Sequence, residues 1–201
     1  MRRGIIAAAL TALLLPLAAC GGDDDGGGGG GLAGTVLDPP FEVASTALTD
    51  TSGQPYSLTD DTEKPLTLVF FGYTHCPDIC QAVMSNLATA VTRLDERDRE
   101  RVDVVFVTTD PARDTTEVLG RYLEHFDPSF VGLTGDLDTI VGVAKPLGVG
   151  VTQGKKLPSG GYDVTHGTTI TGIDADDDGT VYWSESTSSA DFAADIHTLL
   201  N

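Results

Sequence analysis

Cys76 and Cys80 stand one helical turn apart in the run Phe71-Gly72-Tyr73-Thr74-His75-Cys76-Pro77-Asp78-Ile79-Cys80. A chelating dithiol supports two chemistries, thiol–disulfide exchange and soft-metal binding. Exchange pairs are usually spaced Cys-x-x-Cys, whereas three residues intervene here. With both residues on a helix, the Cβ atoms would lie about 5–6 Å apart, beyond the roughly 3.5–4.5 Å of a disulfide. Pro77 places Cys76 in the loop before the helix, which leaves a disulfide open. The wider gap accommodates a metal ion between the sulfurs, and Asp78, between the thiols, is expected to oppose thiolate formation while favouring a bound cation.

A dithiol needs a further donor to complete a trigonal or tetrahedral site, and the chain has four histidines. His75 adjoins Cys76, but neighbouring side chains on an extended loop point apart. His125 and His197 fall on predicted helices. His166 stands apart from these in Asp163-Val164-Thr165-His166-Gly167-Thr168-Thr169, immediately before a predicted strand. A second metal pattern runs from Asp174 through Asp176, Asp178 and Gly179 to Glu185, with calcium-loop spacing. Strands flank it where that motif requires helices, so a solvated hairpin turn is the expectation.

The elements that must position these residues follow from hydrophobic pattern. Thr67–Phe71 and Val102–Val107 are continuous apolar runs of the kind buried on both sheet faces. Between them Val83, Leu87, Val91 and Leu94 recur at helical spacing from about Cys80 to Leu94, giving a βαβ unit with parallel strands. Asp114, with Glu117 three residues on, predicts a helix start, the helix running to about Phe126 before Asp127-Pro128. Asp136 to about Ala144 is a third helix. Thr168–Ile173 and Thr180–Trp183 form a hairpin. Ala190–Leu200 is a closing helix with Phe192, Ile196 and Leu199 inward. Phe41–Val43 and Pro55–Leu58 flank Ser52-Gly53 as an N-terminal hairpin. Met84 reads as core, which excludes a methionine-rich metal carrier. The order implies an α/β, thioredoxin-like single domain: a central mixed sheet, flanking helices and an N-terminal β-hairpin extension. In that fold the loop bearing His166 lies against the dithiol.

The first nineteen residues predict a lipoprotein signal peptide, with Arg2 and Arg3, the apolar Ile5–Leu17, and Leu17-Ala18-Ala19 before Cys20 as the lipidation site. The apolar stretch is short for a membrane span, which takes roughly 20 residues. Residues 20–34 read as the acylated cysteine and a flexible Gly/Asp tether, and 35–201 as the folded domain. This places the domain on the extracytoplasmic face of the bacterial cell membrane. The net charge of −18 becomes more negative still once Arg2 and Arg3 leave, which argues against nucleic acid as a partner.

The run Phe71–Cys80, the segment Thr109-Asp110-Pro111-Ala112-Arg113-Asp114-Thr115, the stretch Leu119–Gly132 and the Val164-Thr165-His166 element, taken in order, resemble the Sco/SenC family of copper-binding cytochrome c oxidase assembly proteins. The resemblance spans about Phe41 to Leu200. It implies a thioredoxin-like fold and one copper ion, Cu(I) or Cu(II), held by Cys76, Cys80 and His166. It also implies a role as a metallochaperone in assembly of the binuclear copper centre of cytochrome c oxidase, with the copper-bearing subunit or another copper or thiol carrier as partner. Thiolates suit Cu(I) and imidazole suits both states. Asp110 follows the second core strand, at the edge where ligands bind in open α/β sheets. It is expected either to bond His166 or touch Cu(II), or to serve as a turn residue before Pro111 while Arg113 and Asp114 pair locally. Asp78 is the other residue expected behind the ligands.

Two departures are notable: Gln81 stands where the family usually has proline, and the hairpin strand lacks the proline that disulfide-exchanging thioredoxins place before it. The alternative function is a thiol–disulfide oxidoreductase, using Cys76 and Cys80 to reduce partner cysteines before metal loading. A thiol peroxidase on the same fold finds no support, since Arg113 is the only cation near either cysteine in the sequence.

Overall fold

Alternate residues of Leu66–Gly72 (β4) enter two separate apolar layers, so the strand is buried along its whole length. The computed structural model describes residues 31–156 and 162–201; the expected signal peptide, Cys20 and most of the tether lie outside them. β4 pairs in parallel with Val102–Thr108 (β5), and β5 with Val131–Thr134 (β6). On its other side β4 pairs antiparallel with Ile170–Asp174 (β9), which pairs with Asp178–Trp183 (β10). Thr35–Glu42 (β1) closes that edge against β10, and the hairpin of Leu48–Asp50 (β2) and Pro55–Tyr56 (β3) closes the other through β6. The sheet therefore runs β1-β10-β9-β4-β5-β6-β2-β3. Val151–Lys156 (β7) and Tyr162–His166 (β8) form a separate antiparallel ribbon.

Ile79–Arg93 (α1), Thr116–Glu124 (α3) and Ser189–Leu200 (α5) bury one face of the sheet around Phe70, Phe106 and Trp183. Leu137–Ala144 (α4) covers the other, against Phe71, Val105 and Leu133. This is the helix-flanked mixed sheet of the thioredoxin-like class. Met84 is fully buried, as its position on α1 predicts.

Several expectations are corrected. The N-terminal hairpin uses Leu48–Asp50 rather than Phe41–Val43; β1 instead takes the far edge of the sheet, where Phe41 pairs with Gly179. Asp114 does not cap α3: Thr115 does, its hydroxyl accepting from the Val118 N–H at 3.3 Å. Glu117 pairs with Arg121 instead of reaching back. In α5 Leu200 is buried where Leu199 was expected, because a helix drifts past a strict i, i+4, i+7 register. The short helix Glu96–Arg99 (α2), β6 and the β7–β8 ribbon were not foreseen. At the calcium-like turn, Asp174 Oδ1 accepts from the Asp176 and Asp178 N–H groups at 3.0 and 3.2 Å. Glu185 takes the Thr168 hydroxyl at 2.7 Å, so the first and last residues of that pattern are engaged elsewhere.

Two buried carboxylates lock α5 in place. Asp195 accepts from the Ala33 and Gly34 N–H groups at 3.0 and 2.8 Å and from Trp183 Nε1 at 2.7 Å. Gly34 is required there, since a Cβ would sit 2.5 Å from Trp183 Nε1. Asp98 on α2 accepts from His197 Nδ1 at 2.5 Å and from Asn201 Nδ2 at 3.2 Å. The His197 hydrogen bond leads the causes that hold the Asp98 carboxyl below its ordinary value. A carboxyl depressed in the folded state contributes stability above its unfolded pKa and loses it as pH falls through the folded one. The stability of His197→Ala should therefore lie below the parent's near pH 6 and converge on it in strong acid. Urea titrations across that range measure the gap; a constant gap would refute the linkage.

Candidate metal centre

β4 hands the chain to α1 through the loop that carries the dithiol. The Cys76 N–H donates to the Tyr73 carbonyl at 3.1 Å, a turn that keeps Cys76 off the helix, while Cys80 lies in its first turn. Neither is in a disulfide, and both are buried, Cys76 7% exposed and Cys80 0%. Cys80 packs with Val83, Met84 and Leu87 on the buried face of α1. A Cβ on Gly72 would lie 3.0 Å from Cys80 Sγ and 2.9 Å from the Phe106 ring, so glycine there admits the sulfur against the strand end.

The two thiols have opposite acidities. Burial resists ionisation of Cys76, but the N–H groups of Asp78, Cys80 and Ile79 and the Cys80 thiol all point at its sulfur, and the net direction is down. Burial also leads for Cys80; its hydrogen bond to Cys76 and the negative charges of Cys76 and Asp114 add to it, against one N–H from Tyr73, and the thiol is pushed strongly up. The expectation that Asp78 opposes the thiolate is thus offset by its own backbone: the exposed Asp78 contributes an N–H that favours it.

Asp114 organises the loop. Fully buried, its carboxylate accepts from the Thr74 N–H at 2.9 Å, the Thr74 hydroxyl at 2.6 Å and the Thr108 hydroxyl at 2.7 Å. It thereby ties the residue two before Cys76 to the end of β5. Thr109 completes the junction, its N–H and hydroxyl both donating to the Gly72 carbonyl. The expected local pair of Arg113 and Asp114 does not form. Arg113 instead pairs with the buried Asp110 and lies with Cζ 5.9 Å from the Tyr73 ring centroid. The Tyr122 hydroxyl, buried under this loop, has no hydrogen-bond partner among the described residues, and the Cys80, Cys76 and Asp114 charges add to burial in pushing it up.

His166 ends β8, its backbone paired with Val151, and the Gly167 N–H closes the ribbon onto the Gly150 carbonyl at 3.0 Å. Its side chain lies outside the described residues. Four residues later Ile170 pairs with Phe70, antiparallel to β4, so the chain from His166 to Thr169 leaves the sheet at the edge from which Gly72 and the dithiol loop depart. Among the other histidines, His197 bonds Asp98, His125 caps the C-terminus of α3 and His75 sits exposed on the dithiol loop. Sequence reasoning missed Asp114, Thr74 and Tyr122 as site residues. One signal was available: Thr115 next door is itself a competent helix cap, which leaves Asp114 open to another role.

Comparison with known proteins bears on this arrangement. Residues 37–201 match the SCO1/SenC family. The mitochondrial protein SCO2 of Saccharomyces cerevisiae is 36% identical over 124 residues, covering 57% of this chain and 41% of that protein. The apo Sco1 solution structure from Thermus thermophilus superposes with a TM-score of 0.76 at 32% identity, covering 86% of this chain and 99% of that one. Bradyrhizobium japonicum ScoI with copper bound gives a TM-score of 0.68 at 29% identity, covering 79% and 99%. The chain spans about half the length of the first curated relatives it matches, 41% and 57%.

Proposed function

The chain belongs to the SCO1/SenC family, and from that premise we propose that it holds one copper ion through Cys76, Cys80 and His166 and delivers it during assembly of the binuclear copper centre of cytochrome c oxidase. The observation that carries this reading is the pair of buried, mutually hydrogen-bonded thiols at the edge of the sheet toward which the His166 segment also runs. The donor set fits the ion: two sulfurs suit Cu(I), and an imidazole suits either copper state. The N–H groups around Cys76 favour the thiolate that a metal requires. Asp110, tied to Arg113, and Asp78, exposed beside Cys76, serve behind the ligands. Lipidation at Cys20 would hold the domain at the extracytoplasmic membrane face; among the described residues no helix is long and apolar enough to cross a membrane. The partner is then the copper-bearing oxidase subunit or a second copper carrier.

A second reading is favoured by the acidity split. An acidic Cys76, 7% exposed, beside a fully enclosed, protonated Cys80 is the pairing of an attacking and a resolving thiol. The Cys76 thiolate would attack a partner disulfide, forming a mixed disulfide; Cys80, losing its proton, would then displace the partner as its dithiol. The partner gains two electrons, and Cys76–Cys80 becomes the disulfide.

Anaerobic copper titration of the reduced protein separates the readings. The parent should develop thiolate-to-copper absorption at one equivalent, Cys76→Ser and Cys80→Ser should lose it, and His166→Ala should lose affinity while keeping disulfide-exchange activity. An unaltered affinity in His166→Ala would overturn the ligand assignment.

A further inference from the structure

We infer that the groove beside the dithiol loop is a separate binding site for Cu(II), ligated by the Nε2 atoms of His75 and His125. The groove, about 600 Å³, lies between the dithiol loop and α3, and both imidazoles line it together with Gln81.

The hydrogen bonds fix the tautomer of each ring. His125 Nδ1 lies 2.6 Å from the Arg121 carbonyl, which only accepts, so Nδ1 carries a proton and the neutral ring presents its lone pair at Nε2. At His75 the argument runs through Thr74. The Thr74 hydroxyl proton is committed to the Asp114 carboxylate at 2.6 Å, so its oxygen, 3.0 Å from His75 Nδ1, must accept. His75 is thereby also protonated on Nδ1, and its neutral ring presents the lone pair at Nε2. Each ring is braced through its non-ligating nitrogen, one by a backbone carbonyl and the other by a hydroxyl backed by a buried carboxylate. Protein ligands to imidazole-bound metals are braced in this way.

Copper is the ion that fits. Imidazole pairs prefer Cu(II) among the divalent first-row metals, and the Gln81 amide oxygen or water can complete its coordination. Electrostatics favour a cation, since the chain carries −18 and Arg121, the cation lining the groove, is paired with Glu117. The groove's volume exceeds that of one ion, leaving room for the donor group of a carrier that brings it. His75 is bonded to Cys76 in sequence, so an ion on His75 lies one residue from the dithiol. The groove accordingly acts as a capture site upstream of Cys76 and Cys80; this role, unlike the binding itself, rests on the copper reading above.

The test uses the full chain with Cys20, Cys76 and Cys80 all replaced by serine, titrated with aqueous Cu(II) and followed by electron paramagnetic resonance. One saturable equivalent with nitrogen hyperfine structure is expected. His75→Ala and His125→Ala in that background should each weaken it on the order of 10-fold or more, whereas His166→Ala and His197→Ala should leave it unchanged. Absence of saturable binding, or loss only with His166→Ala or His197→Ala, would overturn the site. Because this chain has no dithiol, the result stands whether or not Cys76 and Cys80 bind copper. With the cysteines restored, His125→Ala should slow dithiol loading without changing final occupancy; an unchanged rate would overturn the capture role.

Discussion

Asp114→Ala should lower the unfolding free energy by about 3–5 kcal/mol, a large fraction of the roughly 5–15 kcal/mol that holds a domain folded. Three donors end on this carboxylate: the Thr74 N–H, the Thr74 hydroxyl and the Thr108 hydroxyl. Thr108 is fully buried, so its hydroxyl has no water to turn to, and an orphaned buried donor costs about 1–3 kcal/mol. Thr74 is half-buried and recovers part of its loss, which keeps the total below three full penalties. Asp114→Asn preserves the shape and one acceptor oxygen and should cost less. Urea unfolding of both variants gives the comparison. The same change releases the loop residue that braces His75 and precedes Cys76, so the damage should appear at the dithiol as well as in the melt. If Asp114→Ala unfolds at the parent's midpoint, the carboxylate is not what ties the dithiol loop to β5.

Alkylation at neutral pH should label Cys76 well ahead of Cys80. Thiolate fraction changes tenfold per unit of pKa, and the two thiols are displaced in opposite directions; the lower nucleophilicity of the more acidic thiol returns about half of that advantage on a logarithmic scale. Timed iodoacetamide labelling with peptide mass spectrometry reads the ratio. The rate at Cys76 should fall as pH drops below its depressed pKa. Equal rates at the two positions would refute the split. The same groups shape the alkaline limit of stability. Burial leads in pushing Tyr56 up to about 12, and Cys80 and Tyr122 are raised as well. Each keeps its proton to higher pH in the folded chain than in the unfolded one. The folded state therefore binds more protons above about pH 9, and stability falls as pH rises through that range.

The βαβ unit was legible because Leu68–Phe71 and Val104–Val107 are apolar without alternation, which only a strand covered on both faces sustains. The dithiol was legible from residue type and spacing, and Pro77 located Cys76 ahead of the helix. What escaped was set by distant partners. β6 is four residues long and gets its register from β5 and β2, so its own pattern is too short to announce it. Asp114 carries the local marks of a helix cap, and its bonds to Thr74 span forty positions of sequence. In the β7–β8 ribbon, β7 contains Gly154 and two lysines with no apolar alternation and β8 alternates over only Tyr162 to Thr165, so the pairing had almost no periodic signal. Charge pairing misled in the same way, with Arg113 choosing Asp110, one helical turn back, over its neighbour.

The Asp195 clamp has a consequence for how the chain acquires its fold. Its carboxylate joins Ala33 to the last helix across 162 positions, and β1 pairs with β10, itself close to the C-terminal end. Central strand β4 likewise waits for β9 to cover its second side. A polypeptide that emerges N-terminus first can make none of these closures until β9, β10 and the helix bearing Asp195 are out. β4 can pair with β5 early, but its other edge stays bare until β9 is produced. Such high contact order slows folding and lengthens exposure to aggregation. The final helix therefore works as a latch on the folded domain.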